Sequence, residues 1–395
     1  MRHCYAMPDE PQLPPMAFMQ LPLEIKVNPR LVLGLTAFAY ACGASAQSNV
    51  TLYGLIDSGL TYSTNQGGKS SVQAVSGVPV GSHWGLTGAE DLGGGLSTVF
   101  KLESGFSGFT GQGYGPNAEF TRQAYVGIAS RQYGTLTMGV QYDSIVDFVA
   151  PYTSNGGYAG LYFSHPQDVD NTDNSVVETN TIKYKSANYG GLTFGGVYSL
   201  GGIAGQFNKN GMWSAGANYA YGPFGIGAGY LRANSPATGL NSYLQNSAGF
   251  TNTVYGSYLA AATYQNILGA GASYTLGEAK FLLSYTDTLF EGGDAGHNVS
   301  FKNLEAAVHY NLTPSFSVLG SYTYTFGDNN ATNTSPKYHQ VNLMADYFLS
   351  KRTDVYAMAV YQQAAGAAQV AQITGFNASS NKRQLALRIA MKHSF

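Results

Sequence analysis

The last twelve residues of the chain alternate without a break. Leu385, Leu387, Ile389, Met391, His393 and Phe395 fall on one side, and Gln384, Ala386, Arg388, Ala390, Lys392 and Ser394 fall on the other. A period of two is the side-chain period of a β-strand, so this stretch has one apolar face and one face carrying two cations. An ordinary half-buried strand could be written this way. So could the wall of a barrel whose outside meets lipid and whose inside, with Arg388 and Lys392, meets water.

Composition favours the barrel. Only 11% of the 395 residues are charged, against about 25% in an average soluble domain. Outside the N-terminal region no apolar run approaches the ~20 residues that a membrane helix requires. Low charge without such a helix, with 50 Gly and 30 Tyr, fits alternating strands joined by glycine turns and edged by aromatic girdles. A secreted all-β adhesin or lectin shares the Gly and Tyr enrichment but does not need an apolar set on nearly every strand. The net charge of -2 gives no basic excess of the kind that binds nucleic acid.

Segments of about ten residues, the length a tilted membrane strand needs, repeat the alternation along the chain. In 49–62, Leu52, Ile56 and Leu60 face away from Thr51, Tyr53 and Asp57; in 96–103, Leu96, Phe100 and Leu102 oppose Ser97, Lys101 and Glu103. The segments 49–62, 82–89, 96–103, 122–128, 135–142, 181–187, 192–199, 213–221, 225–231, 270–275, 279–286, 304–311, 316–325, 340–348, 353–362 and 382–395 predict sixteen strands. A Gly/Ser loop is expected over 63–81. Short turns, among them Glu90–Gly95, Gly222–Phe224 and Leu349–Arg352, alternate with outward connections such as Gly105–Glu119, Ser235–Ala260 and Ala331–Pro336. That asymmetry predicts an all-β fold: a transmembrane antiparallel β-barrel with long external loops and short periplasmic turns. Hydrocarbon leaves strands no other way to pair every backbone N–H and C=O.

The N-terminus reads as an export signal. Lys26 and Arg30 precede the apolar run Leu31–Tyr40, and Ala44-Ser45-Ala46 offers the small residues a signal peptidase reads. Residues 1–46 are therefore expected to be an extension plus a removed signal peptide, with Met16 or Met19 as possible starts, and 47–395 the barrel. Cys42 does not read as a lipidation site, because Ala39-Tyr40-Ala41 lacks the usual Leu. Both cysteines, Cys4 and Cys42, fall in the removed part, which excludes a disulfide scaffold, a thiol nucleophile and a cysteine metal site.

Five stretches carry a family resemblance: Thr51-Leu-Tyr-Gly54, Gly85-Leu-Thr-Gly-Ala-Glu-Asp-Leu-Gly-Gly-Gly-Leu96, Arg122-Gln-Ala-Tyr-Val-Gly127, Tyr347-Phe-Leu-Ser-Lys-Arg-Thr353 and the ending Lys392-His-Ser-Phe395. They span the mature chain in order, and the sequence resembles the general-diffusion porins of β-proteobacteria, of the neisserial and Burkholderia type. The resemblance implies a sixteen-stranded homotrimer in the bacterial outer membrane, in contact with lipid and lipopolysaccharide. It also implies passage of small ions and hydrophilic solutes without a cofactor, and a third external loop folded into the lumen. Phe395 would then be the residue that the assembly machinery reads.

The inward loop is expected between Tyr142 and Thr181, the longest connection, which carries Asp143, Asp147, Asp168, Asp170, Asp173 and Glu178 and no Lys or Arg. Opposite it the resemblance implies a basic wall. The candidates are His83, Lys101, Arg122, Lys183, Lys185, Lys280, Arg388 and Lys392, with His83 standing where relatives have arginine. The expected constriction is thus His83, Lys101, Arg122, Asp143, Asp147, Glu178, Lys183, Lys185 and Arg388, and the acidic count predicts weak selectivity or a tilt toward cations. Asp168–Asp173 lacks the Gly and Glu of a calcium loop, so no metal is expected. No phosphate-binding loop, dinucleotide fingerprint or His-Glu-x-x-His occurs, and an enzyme is not expected. A substrate-specific porin and a barrel-anchored surface adhesin are the alternatives. The mature protein should begin at Gln47; N-terminal sequencing of protein from outer membranes checks this, and a start elsewhere moves the expected cleavage site.

Overall fold

The computed structural model describes residues 49–115, 118–239 and 251–395. The expected signal segment, 1–46, lies outside the described residues. The strands are β1 (Asn49–Gln66), β2 (Lys69–Ser76), β3 (His83–Gly93), β4 (Leu96–Gly105), β5 (Gln123–Ser130), β6 (Gly134–Gln141), β7 (Glu178–Lys185), β8 (Leu192–Ser199), β9 (Met212–Tyr221), β10 (Phe224–Asn234), β11 (Tyr264–Leu276), β12 (Ala279–Asp294), β13 (His297–Thr313), β14 (Phe316–Asn329), β15 (Pro336–Phe348), β16 (Thr353–Gly366) and β17 (Arg383–Ser394). All pair antiparallel, β3 to β17 each with the next in sequence and β2 and β3 both with β1, and β17 returns to β1 with Leu55 opposite Ser394 and Ser63 opposite Ala386. The sheet is closed. β2 pairs with β1 over Ser58–Gln66 and β3 pairs with it over Asn49–Leu55, so the two lie end to end and seventeen segments make sixteen positions round the wall.

β2 replaces part of the loop expected over 63–81. Its residues are too polar to show an apolar period, but Gly67 and Gly68 both take positive φ (64° and 97°). That pair of left-handed residues is what a tight hairpin with the right twist requires. Several strands also run past their expected ends. β13 begins at His297 rather than Leu304, and β11 begins at Tyr264 rather than Ala270. In these extensions the face turned from solvent is apolar, with Phe290, Val299 and Phe301 fully buried against Tyr255 and Leu259 of the overlying connection, so the alternation is blurred.

The distribution of polarity is the reverse of a soluble protein. Leu52, Leu60, Leu268, Leu283, Leu343 and Ile389 are all more than half exposed, while Asp57, Thr286, Asn303, Asn342, Gln362 and Arg388 are buried. An apolar belt running round the whole outer face is stable only against hydrocarbon. Short turns gather at one rim, for example Gly94–Gly95, Gly222–Pro223 and 349–352. The strand ends that the longer connections join, after β4, β6, β8 and β10, gather at the other.

The closing seam explains one of the sequence's glycines. Phe395 N donates to Gly54 O at 3.0 Å and Gly54 N donates to Phe395 O at 3.1 Å, and the Phe395 ring lies across Gly54. A Cβ there would sit 2.3 Å from Phe395 Cζ and 2.8 Å from the His83 carbonyl. Gly54→Ala should therefore displace the terminal ring and cost about 1–3 kcal/mol of overpacking strain. It should lower the yield of heat-modifiable barrel and its unfolding temperature on gels; an unchanged barrel would show that the ring has free space to move into.

Candidate functional site

Residues 142–177 form a structured segment that docks on the polar face of the wall. It starts with a short helix, Ser144–Phe148, capped by Asp143, whose Oδ1 accepts from Ile145 N at 2.6 Å and Val146 N at 3.2 Å. A side-chain oxygen at this position satisfies amides that the first helical turn leaves free. Further on, Gln167, Asp168, Asn171 and Asn174 take positive φ and turn the chain back on itself. Asn and Asp bear that conformation better than most residues.

The partners of the segment come from strands far apart around the sheet. Ser144 N donates to Ser214 Oγ on β9 at 3.0 Å, and Ser154 bonds Glu305 on β13 through its amide (2.6 Å) and hydroxyl (2.8 Å). Asp170 accepts from Thr286 on β12 at 2.5 Å and Asn303 on β13 at 3.3 Å. Gln340 on β15 donates to the carbonyl oxygens of Tyr162 and Ser164, and Tyr162 Oη meets Thr61 Oγ1 on β1 at 3.3 Å. Room for this docking comes from glycines at alternate strand positions. A Cβ on Gly216 would stand 2.6 Å from Phe148 Cδ2, one on Gly227 2.1 Å from Phe148 O, and one on Gly271 2.4 Å from Tyr152 Cβ.

The expected site residues divide into two sets. Lys101 Nζ lies 3.0 Å from Glu103 Oε2 and Arg122 Nε lies 2.7 Å from Glu103 Oε1; Tyr53 Oη donates to the same carboxylate at 2.6 Å. His83 stands in this group, with Nδ1 2.7 Å from Gly81 O and its ring 6.1 Å from Tyr53. Lys183 Nζ pairs with Asp147 Oδ2 at 2.7 Å and donates to Tyr142 O at 2.8 Å, while Lys185 is exposed, 5.8 Å from the Phe148 ring. These six keep contact with water. A cavity of about 440 Å³ opens between Arg122, Tyr142, Leu161 and Asp173.

Three expected constriction residues do not face water. Asp143 is buried as a helix cap and also accepts from Asn171 Nδ2 at 2.6 Å. Glu178 is buried with no hydrogen-bond partner for either carboxylate oxygen among the described residues. Arg388 is fully buried, its Nη2 3.2 Å from Asp57 Oδ1, its Nε donating to Tyr356 Oη at 2.9 Å and its Nη1 to Thr61 Oγ1 at 3.1 Å. The alternation of β17 placed Arg388 on the right face, but only the fold brings Asp57 under it. Asp168 and Asp170 are withdrawn as well: Asp168 accepts from Asp173 N and Ser175 N, and Asp170 lies 2.5 Å from His165 Nδ1. The outlying wall lysines follow the same rule of local company, Lys280 near the Tyr158 ring (6.0 Å) and Lys392 beside Asp354 (3.3 Å).

The structure adds Glu103, Glu305 and His165 to the expected residues. Glu103 was legible as a carboxylate two residues from Lys101 on the same strand face. His165 had no signal: it is fully buried between Asp170 and Glu305 Oε2 (3.6 Å), and only the docking assembles that triad. Burial by itself would lower its pKa, but the two carboxylates outweigh it and raise the imidazole to about 10. Burial raises Asp143 to about 6, and burial with neighbouring Asp170 raises Asp168 to about 7.

The comparisons agree with the closed antiparallel barrel. The Gram-negative porin family matches residues 34–367, and the chain belongs to that family. It is 28% identical to an outer membrane porin protein of Bordetella pertussis over 82% of this chain and 91% of that protein. It is 26% identical to outer membrane porin protein 32 of Delftia acidovorans, over 92% and 99%, and 27% identical to the major outer membrane protein P.IB of Neisseria meningitidis serogroup B, over 82% and 90%. In fold it is similar to the anion-selective porin from Comamonas acidovorans, with a TM-score of 0.71 at 22% identity over 88% of this chain and all of that one. The protein is an outer-membrane diffusion channel.

The pKa shifts set how the segment responds to pH. Asp143 and Asp168 are raised above their ordinary 3.8, so their stabilisation is complete below that value and is lost as pH rises through about 6 and 7. His165 is raised above 6.5, so its contribution persists to neutral pH and is lost as pH rises through about 10. All three loosen the segment in the same direction. Proteolytic cleavage within 142–177 should be faster at pH 9.5 than at pH 5.5 by at least about tenfold, one pKa unit's worth of free energy. His165→Gln should remove the part of the change above pH 7. Faster cleavage at the acidic end would reverse the assignment.

Proposed function

We propose that residues 142–177 lie within the barrel and narrow the channel to an eyelet edged by Lys101, Glu103 and Arg122 on one side and Asp147 and Lys183 on the other. The observation that carries this reading is the docking itself. The segment bonds side chains of β1, β9, β12, β13 and β15, all of the parity opposite to the exposed leucines, and fills the space over Gly216, Gly227 and Gly271. Small ions and hydrophilic solutes pass down the remaining space by diffusion, without cofactor or catalysis. A homotrimer is the assembly we assign. A structural relative from Vibrio cholerae, OmpT, is described in a trimer form, with a TM-score of 0.64 at 14% identity. Phe395, seated on the closing seam, remains our candidate for the residue read during assembly.

Burial revises the selectivity expected from residue counts. Asp143, Asp168 and Asp170 present no carboxylate to water, and Asp173, half buried, is pushed well above its ordinary pKa by burial and by Asp168. Around the eyelet four cations, Lys101, Arg122, Lys183 and Lys185, stand against Asp147 and the buried Glu103, whose carboxylate is already paired with Lys101 and Arg122. The channel should therefore lean toward anions. Fixed charges of one sign matter most where the lumen is narrower than the Debye length of about 10 Å at 0.1 M salt.

Planar-bilayer recording tests both statements. The protein should give stepwise ohmic conductance, and Gly227→Val, which drives a side chain into Phe148 O, should raise it by dislodging the segment. Under a KCl gradient the reversal potential should lie on the anion side, and His83→Arg should move it further that way. Silent membranes would remove the channel, unchanged conductance in Gly227→Val would remove the eyelet, and a cation-side potential would return the buried acids to the lumen.

A further inference from the structure

The cavity of about 440 Å³ beside Arg122 has apolar walls on two sides. β2 and β3 lie end to end against β1, and the residues between them, 77–82, are drawn onto the polar face of the wall. Val78 N donates to Asp57 Oδ2 at 2.6 Å, and Val78 O accepts from Leu161 N at 2.9 Å. That pairing seats Val78 and Pro79 in the interior and leaves Val80 36% exposed at the edge of the cavity. Val146, Leu161 and the exposed Pro151 of the docked segment line the other side. Other large apolar side chains around this segment, such as Phe148, Phe163, Phe290 and Ile373, are buried.

Charge in the cavity is sparse. Arg122 is the only cation and Asp173 the only carboxylate among the described residues that line it. Glu103 holds Arg122 Nε at 2.7 Å, which fixes the guanidinium with Nη1 against residue 81, where a Cβ would stand only 2.9 Å away. Glycine at that position keeps the Nη edge open to the cavity. A guanidinium edge offers two parallel N–H donors, the arrangement that a carboxylate accepts. Asp173 is pushed well above its ordinary pKa by burial and by Asp168, so it does not oppose an anion arriving there. A bare inorganic anion gains nothing from Val80 or Leu161, and a polyhydroxylated one turns hydroxyls toward them that find no partner. An anion with an apolar body gains about fourfold in affinity for each methylene that leaves water.

We propose that this cavity transiently binds monocarboxylates with a short apolar body, the carboxylate on Arg122 and the body on Val80, Pro151 and Leu161. The channel then has a preference among organic anions that its net charge alone does not give. This assignment rests on residues 142–177 edging the channel. The test is the KCl current of single channels in planar bilayers at pH 7.5, with sodium valerate, acetate or glycerate, or pentylammonium chloride, added. Valerate and glycerate have the same charge and the same number of non-hydrogen atoms, and valerate is longer than acetate by a run of methylenes. Valerate should reduce the current saturably, with a half-blocking concentration at least about tenfold below that of acetate or glycerate, and pentylammonium should not block. Val80→Ser should narrow the gap between valerate and glycerate by at least about threefold, roughly one buried methylene's worth. Arg122→Gln should weaken both acids together, and stepwise conductance in each variant shows that it is folded. A current untouched by valerate, an equal block by glycerate or pentylammonium, or an unchanged valerate-to-glycerate ratio in Val80→Ser would overturn the proposal. A conductance that Gly227→Val leaves unchanged would instead remove the eyelet beneath it.

Discussion

Every backbone amide and carbonyl of this wall must find a partner within the wall, because hydrocarbon offers none. That requirement is met by one seam, β1 against β17, which turns an open sheet into a closed one. The consequences run through the whole chain. Closure leaves no edge strand and sends one face of every strand to lipid. The other face becomes a water-side surface on which polar residues cost nothing. Gly54 and Phe395 sit at the end of that seam, each amide bonded to the other's carbonyl, and the ring covers the glycine, which has no Cβ.

The polar face is not uniformly wet. Docking of residues 142–177 converts part of it into an interior, and there charge has to be matched. Arg388 and Asp57 meet with both side chains fully buried, and Thr61 and Tyr356 take other guanidinium donors. Removing one partner of such a pair costs about 3–5 kcal/mol, because the other charge is left uncompensated. His165 plays the same part deeper in, between Asp170 and Glu305. These buried networks hold the segment in place. The charges that keep some contact with water are the partly buried Lys101, Arg122, Asp147 and Lys183, together with the exposed Lys185.

Glycine has two uses in this chain, and only one of them is local. At Gly67-Gly68 it makes a turn, which its positive φ announces. Within the strands, Gly225, Gly227 and Gly229 recur at every second position, as do Gly269 and Gly271, so each set lies on one face of its strand. That period is legible in the sequence as an absence of side chains on one face. Its meaning is not, because the atoms that fill the space belong chiefly to Ser144, Ile145, Phe148, Val149 and Tyr152, roughly seventy to a hundred and twenty residues earlier.

What the sequence determined by itself is whatever depends on a residue and its near neighbours: the alternation of faces, the turns, the aromatic rims and the sixteen-strand count. A period-two pattern is enough to assign each side chain to lipid or water, and it placed Lys101, Arg122, Lys183 and Arg388 correctly on the polar face. It could not find β2, whose polar residues carry no period, nor the strand ends where the face turned from solvent becomes apolar. Only the tertiary structure decided which charges are spent on one another. Asp57 meets Arg388 across 331 residues and Ser154 meets Glu305 across 151. The free energy of an ion depends on what surrounds it more than on what it is, and the surroundings of these ions are assembled from distant parts of the chain.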